Sequence, residues 1–135
     1  MPNVFFAPRL QRPQQRWALR NSSNDALVAE NVEVAVDSDQ RRRGLLGRSQ
    51  FPDGSAMIIA PSNAIHTFFM SFPIDAAFVT RAGEIVKVSH DIQPWRIAAS
   101  IRAFAVVELP AGTLARTATL PSHRLLLTEL EPLHG

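Results

Sequence analysis

The chain has 135 residues, a formal net charge of only +2 and no cysteine. By the usual size relation that length makes one domain, which buries about 70% of its extended-chain surface and needs no metal or disulfide staple to fold. The missing cysteines exclude a disulfide framework, a thiol nucleophile and a thiolate metal site.

Residues 1–15 hold three prolines among polar residues and read as a flexible basic N-terminal segment, with 16–131 as a single mainly-β domain. Residues 1–20 carry Arg9, Arg12, Arg16 and Arg20 and no acid. The opening lacks a basic segment followed by a long apolar run, so it does not read as a secretory signal, and a cytoplasmic location is the default expectation. No stretch approaches the ~20 apolar residues of a membrane span.

Arg16 to Arg20 reads as a short strand and Asn21 to Asp25 as the turn after it. Asn31 to Val36 alternates, with Val32, Val34 and Val36 on one side and Glu33 and Ala35 on the other, which is the pattern of a half-buried strand. Ser38 or Asp39 then supplies the cap of a short helix near residues 39–47, which Gly47 ends. Leu45 and Leu46 are its expected buried edge, and Arg41 and Arg42 its exposed one. With Arg43 and Arg48 they form a basic cluster, ordinarily a solvated face, with an acidic partner or phosphate as the alternative.

Phe51 to Gly54 is a turn, Ser55 to Ala60 a strand around Met57-Ile58-Ile59, and residues 61–63 a loop. Ile74 to Thr80 and Ile85 to Ile92 form a hairpin through Arg81-Ala82-Gly83-Glu84, with a glycine where positive φ is easiest. Ile97 to Ser100 reads as a connector. Arg102 to Leu109 alternates, placing Phe104, Val106 and Glu108 on one face and Ala103, Ala105, Val107 and Leu109 on the other. Pro110 to Thr113 is a turn, and Arg124 to Leu130 the last strand. Short strands, frequent turn signals and one helix predict a mainly-β, compact, antiparallel-rich barrel or sandwich.

Chemistry-bearing residues concentrate between His66 and Arg96. No Gly-x-x-x-x-Gly-Lys, Gly-x-Ser-x-Gly or His-Glu-x-x-His pattern occurs, so phosphate-loop, hydrolase-elbow and zincin mechanisms have no support. His66, His90 and Asp75 are the one candidate metal set, two imidazoles and a carboxylate. Their structural alternative is a loop hydrogen bond for His66, a turn tie for Asp75 and a solvent-facing His90, and the three are expected not to converge. Asp75, Arg96 and Glu108 suggest a polar clamp. One of the two carboxylates should pair with Arg96 between segments stiffened by Pro73 and Pro94. Phe68, Phe69, Met70 and Phe72 read mostly as core. Trp95, in a loop between Pro94 and Arg96, can instead pack on the face of a sugar or base.

The ordered series Arg43-Gly-Leu-Leu-Gly-Arg48, Met57-Ile-Ile, His66-Thr-Phe-Phe-Met70, Pro73-Ile-Asp75, Gly83-Glu-Ile-Val86, Pro94-Trp-Arg96 and Glu108-Leu-Pro-Ala-Gly112 resembles the domain-of-unknown-function family 192, over about Val32 to Leu127. The resemblance implies a small mainly-β domain with one helix after the early strand, and no established biochemical role. Family members often carry an aromatic-Trp-Met triplet where this chain has Phe68-Phe69-Met70, and often an export signal.

The reading that follows is a non-enzymatic small-ligand-binding or accessory module. Its pocket is expected around His66, Met70, Asp75, Trp95 and Arg96, with Glu108 nearby, and its ligand is a polar or anionic small molecule such as a saccharide. No catalytic residue, cofactor, metal or nucleic-acid partner is expected. The alternatives are a metal-assisted hydrolase or other enzyme using His66, His90 and Asp75, and a structural partner docking through the basic helix.

Overall fold

The structure is a computed structural model and describes residues 16–35, 45 and 47–130. The segment 1–15 and most of the helix expected near 39–47 lie outside the described residues. Of Arg41, Arg42, Leu45 and Leu46 on that helix only Leu45 is described, and it is buried as expected.

Ten strands and one helical turn make up the described chain: β1 (Trp17–Asn21), β2 (Ala26–Ala29), β3 (Asn31–Ala35), β4 (Ser55–Ile59), β5 (Ala64–His66), β6 (Ile74–Val79), β7 (Ile85–Ile92), β8 (Ile97–Ala99), β9 (Ala105–Pro110), α1 (Thr113–Arg116) and β10 (Leu125–Glu129). They form a three-stranded sheet ordered β10-β1-β2, a five-stranded sheet ordered β3-β4-β9-β6-β7, and a two-stranded ribbon β5-β8. All pairings are antiparallel except β3 with β4. No sheet closes on itself, so the architecture is sandwich-like and not a barrel.

Side-chain alternation explains the layering. Ile58, Ala77, Val79, Val107 and Leu109 of the five-stranded sheet pack with Trp17, Leu19, Val28, Leu125 and Leu127 of the three-stranded sheet. Their sequence neighbours Met57, Ile59, Ala76, Phe78 and Val106 point the other way. There they are covered by Leu45, Ile65 and Met70, with Phe51, Phe72 and Ala98 packed alongside. With apolar layers on both faces, β4, β6 and β9 are buried along their whole length. That is why β4 reads as an unbroken apolar run, and why the acids of β6 and β9, Asp75 and Glu108, are buried with the rest of their strands.

Three details depart from the linear reading. The stretch from Ala26 to Ala35 forms two strands, β2 and β3, and changes sheets between them at Glu30, where the amides of Glu30 and Asn31 both donate to the Gly54 carbonyl, at 2.9 and 3.0 Å. The expected connector after Arg96 is strand β8, paired Ala64↔Ala99, Ile65↔Ala98 and His66↔Ile97. The turn after β9 continues into α1, which periodicity alone could not reveal in four residues. The β9 alternation holds from Ala105 to Leu109, whereas Phe104 precedes the strand and packs against the opposite cluster from Val106. Among the described residues no helix is long and apolar enough to cross a membrane.

Candidate functional site

The ribbon β5-β8 lies over the five-stranded sheet with Ile65 and Ala98 turned inward, and it delivers two loops to one place. Thr67, which follows β5 directly, is fully buried and ties them together. Its backbone amide donates to the Arg96 carbonyl at 2.8 Å, and its carbonyl accepts from Trp95 at 3.0 Å and Met70 at 3.2 Å. Its hydroxyl donates to the Gln93 carbonyl at 2.7 Å and accepts from the Arg96 amide at 2.9 Å. One buried threonine thus satisfies the backbone polar groups of both loops, which would otherwise be left without partners beside the core.

The two loops place aromatic residues in a backbone region they seldom occupy. Phe69 has φ 66° and Trp95 φ 68°. A left-handed conformation at a bulky residue costs about 1–3 kcal/mol and persists only when its surroundings hold it. Here the result is a connected ring cluster. His66 and Phe68 have centroids 4.9 Å apart, Phe68 and Trp95 stack at 5.6 Å, and Phe69 meets Trp95 edge-on at 4.6 Å. Phe69 remains 72% exposed and Trp95 55%. The rings are therefore held by one another and by Thr67, and three of them, His66, Phe69 and Trp95, are presented to solvent instead of being packed away.

The sequence-derived site residues divide into two groups. His66, Trp95 and Arg96 come together at this exposed cluster, and Met70 lies buried within the apolar layer below. Asp75 and Glu108 do not join them. The Arg96 guanidinium donates to the carbonyls of Pro94 and Trp95 at 3.5 and 3.3 Å and forms no ion pair with either carboxylate, so the expected clamp is absent. Arg96 sits on an exposed loop, whereas Asp75 is completely buried within the sheet. Phe69 also departs from expectation: assigned to the core, it is among the most exposed apolar side chains.

Asp75 performs a different task. One carboxylate oxygen accepts from the Asp91 amide at 2.8 Å, and the other from the amides of Gly112 and Leu114 at 3.1 and 3.0 Å. Gly112 is the N-cap of α1 and has no capping side chain of its own. Asp75 supplies the cap from another strand and also fastens the irregular pairing of β7, where the register shifts between Ile74 and Ala76.

Glu108 lies in a row across the sheet with Glu33, Met57, Ala76 and Ser89, on the face covered by the ribbon layer. It is buried, and among the described residues its Oε2 has no hydrogen-bond partner. Burial pushes its carboxyl up to about 8, only partly offset by the nearby Arg48 charge. Arg48 itself is committed to Glu33 through two hydrogen bonds of 2.7 and 3.1 Å. His90 is exposed on β7, and among the described residues no three His, Asp or Glu side chains gather where they could hold a metal ion. A shallow cleft of about 280 Å³, lined by Pro61, Ser62, Asn63, Ala103 and Phe104, lies toward the far end of the ribbon from the rings.

The sequence motifs give no sign of Thr67, whereas Phe69 reads as part of an aromatic set that is mostly core. Thr67 resembles any strand threonine, and its role arises only when the loop at 93–96 arrives.

Fold and site together define a small sandwich-like β protein carrying a surface ring cluster on an accessory ribbon. The chain belongs to the domain-of-unknown-function family 192, described as an uncharacterized ACR, whose model matches residues 19–127. A crystal structure of a Sinorhizobium meliloti 1021 protein, provisionally described as a transcription regulator, is 28% identical, with a TM-score of 0.71 over 82% of this chain and 91% of that one. A Novosphingobium aromaticivorans protein of unknown function is 20% identical, with a TM-score of 0.70 over 82% of each chain, and shares the fold. No curated protein matches at a significant level.

Proposed function

We propose that this protein is a non-enzymatic binding module whose ligand packs on Phe69 and Trp95, with His66 and Arg96 at the edge. The observation that supports this reading is the pair of exposed aromatics at positive φ, held by hydrogen bonds to the buried Thr67. Backbone strain that displays apolar rings to water has no value for packing, and preorganised rings lose little entropy when a ligand stacks on them. The ligand class is a polar or anionic small molecule with one apolar face, such as a saccharide. The guanidinium of Arg96 favours an acidic sugar over a neutral one. Met70 belongs to the floor beneath the site, and Asp75 and Glu108 to its frame.

Tryptophan emission provides the test, because Trp17 is buried and serves as a constant background to Trp95. Titration with neutral and uronic-acid saccharides should give a saturable change, larger for the acids. It should disappear in Trp95→Ala and Phe69→Ala with urea stability retained. A saturable response that survives Trp95→Ala rejects the site. Binding of a single-stranded oligonucleotide that weakens steeply with salt would instead favour the regulator description carried by the Sinorhizobium protein.

A further inference from the structure

We infer that the solvent face of the β5-β8 ribbon docks the protein onto an anionic lipid bilayer. The inference rests on the same reading of Phe69 and Trp95 as binding contacts and extends it beyond a single small molecule. The apolar surface continues past the rings. On the ribbon, Ile65 and Ala98 point inward, so Ala64, His66, Ile97 and Ala99 line the outer face. Ile97 is 69% exposed, and Ile101, just beyond the strand, is 93% exposed. Of the six large apolar side chains exposed among the described residues, Phe69, Trp95, Ile97 and Ile101 fall in this one region. Phe69, Trp95 and Ile101 each occupy a turn or bend, where a side chain can enter a headgroup layer without unmaking a strand.

Charge selects the partner. Arg96 and Arg102 are exposed in the segment that carries Trp95, Ile97 and Ile101. Lys87 reaches the ribbon edge, its ammonium donating to the Ala99 carbonyl at 2.7 Å. From residue 93 to residue 104 the chain has no acid at all. A row of apolar side chains flanked by cations and free of acids suits a surface that offers hydrocarbon behind negative headgroups. Each cation there raises partition by about fivefold. The Trp ring is suited to that boundary, with one apolar body and one polar edge.

Sedimentation of the full chain with vesicles tests the docking. At low salt it should partition onto phosphatidylcholine mixed with phosphatidylglycerol and far less onto phosphatidylcholine alone, with a blue shift of Trp95 emission. Ile101→Ser should lower that partition by about tenfold, the cost of withholding one large apolar side chain. The same variant should leave the saccharide response unchanged, since Ile101 lies outside the ring cluster. Absence of partition onto the anionic vesicles overturns the inference while a retained saccharide response keeps the ring site. Partition unaffected by Ile101→Ser and abolished by salt also overturns it, assigning the attraction to the arginines of residues 1–20. Loss of both vesicle and saccharide responses removes the ring site as well.

Discussion

Replacing Asp75 by alanine tests how the frame beneath the site is held. The carboxylate accepts three backbone N–H groups, from Asp91, Gly112 and Leu114. A hydrogen bond to a charged acceptor contributes about 1.5–3 kcal/mol, and a buried donor left without a partner costs a similar amount. Gly112 and Asp91 are exposed and can turn partly to water, whereas Leu114 is completely buried. Counting Leu114 in full and the other two at the low end gives a loss of about 4–6 kcal/mol. Against an ordinary stability of about 5–15 kcal/mol, that loss moves a urea midpoint by roughly 2 M or more. Urea titration followed by Trp17 emission measures it. Asp75→Asn keeps the shape but turns an amide N–H₂ toward at least one backbone donor, so it should fall between alanine and wild type. Arg96→Ala should be nearly silent and strictly additive with Asp75→Ala, because the two side chains do not pair. A loss under about 1 kcal/mol for Asp75→Ala, or a coupling above about 1 kcal/mol with Arg96, would refute this account.

Glu108 makes stability depend on pH in a direction opposite to an ordinary ion-paired carboxylate. Its folded value of about 8 stands above the reference 4.5, so the folded state holds the extra proton between those limits. Stability should therefore fall as pH rises from about 5 to 8, by at most about 1.4 kcal/mol per unit, and level off above. Glu108→Gln should remove that slope in urea titrations across the range, and parallel curves for the two proteins would count against the buried neutral acid. Thr67→Val preserves volume but strips the Gln93 carbonyl and Arg96 amide of their partner, with an expected loss of about 1–3 kcal/mol. Greater access of Trp95 to acrylamide should accompany it, and Thr67→Ser should restore both; equal quenching in all three would show that Thr67 does not hold the loop. Gly112 has φ 93° with open space where a Cβ would stand, so Gly112→Ala should cost about 1–2 kcal/mol from backbone strain alone, measured by the same titration.

Local chemistry made much of the frame legible in advance. The hairpin of β6 and β7 follows from two β-rich runs around Gly83, whose φ of 87° is what the glycine supplies. The inward and outward faces of β9 follow from period-two alternation, and the doubly buried β4 from its unbroken apolar run. The absence of cysteine settled the disulfide and thiolate questions without coordinates. Spacing and residue type act between near neighbours, so a linear reading reaches these features.

Which polar groups meet was decided elsewhere. Asp75 and Arg96 both lie beside prolines in stiff segments and looked like natural partners, yet the fold gives Asp75 three amides from β7 and the start of α1. Arg96 is left on an exposed loop. Strand order made that choice: β9 pairs with β6 and carries Gly112 and Leu114 to Asp75, while β8 leaves the main sheet to pair with β5. The exposure of Phe69 and Trp95 has the same origin. Nothing in Phe68-Phe69-Met70 says which aromatic faces out: the turn closed by the Met70 amide on the Thr67 carbonyl sets Phe69 at positive φ, and the loop at 93–96, docked on the same carbonyl, sets Trp95. Contacts across 16 to 39 positions of chain depend on topology, and topology is set by how the apolar faces of all the strands are covered at once.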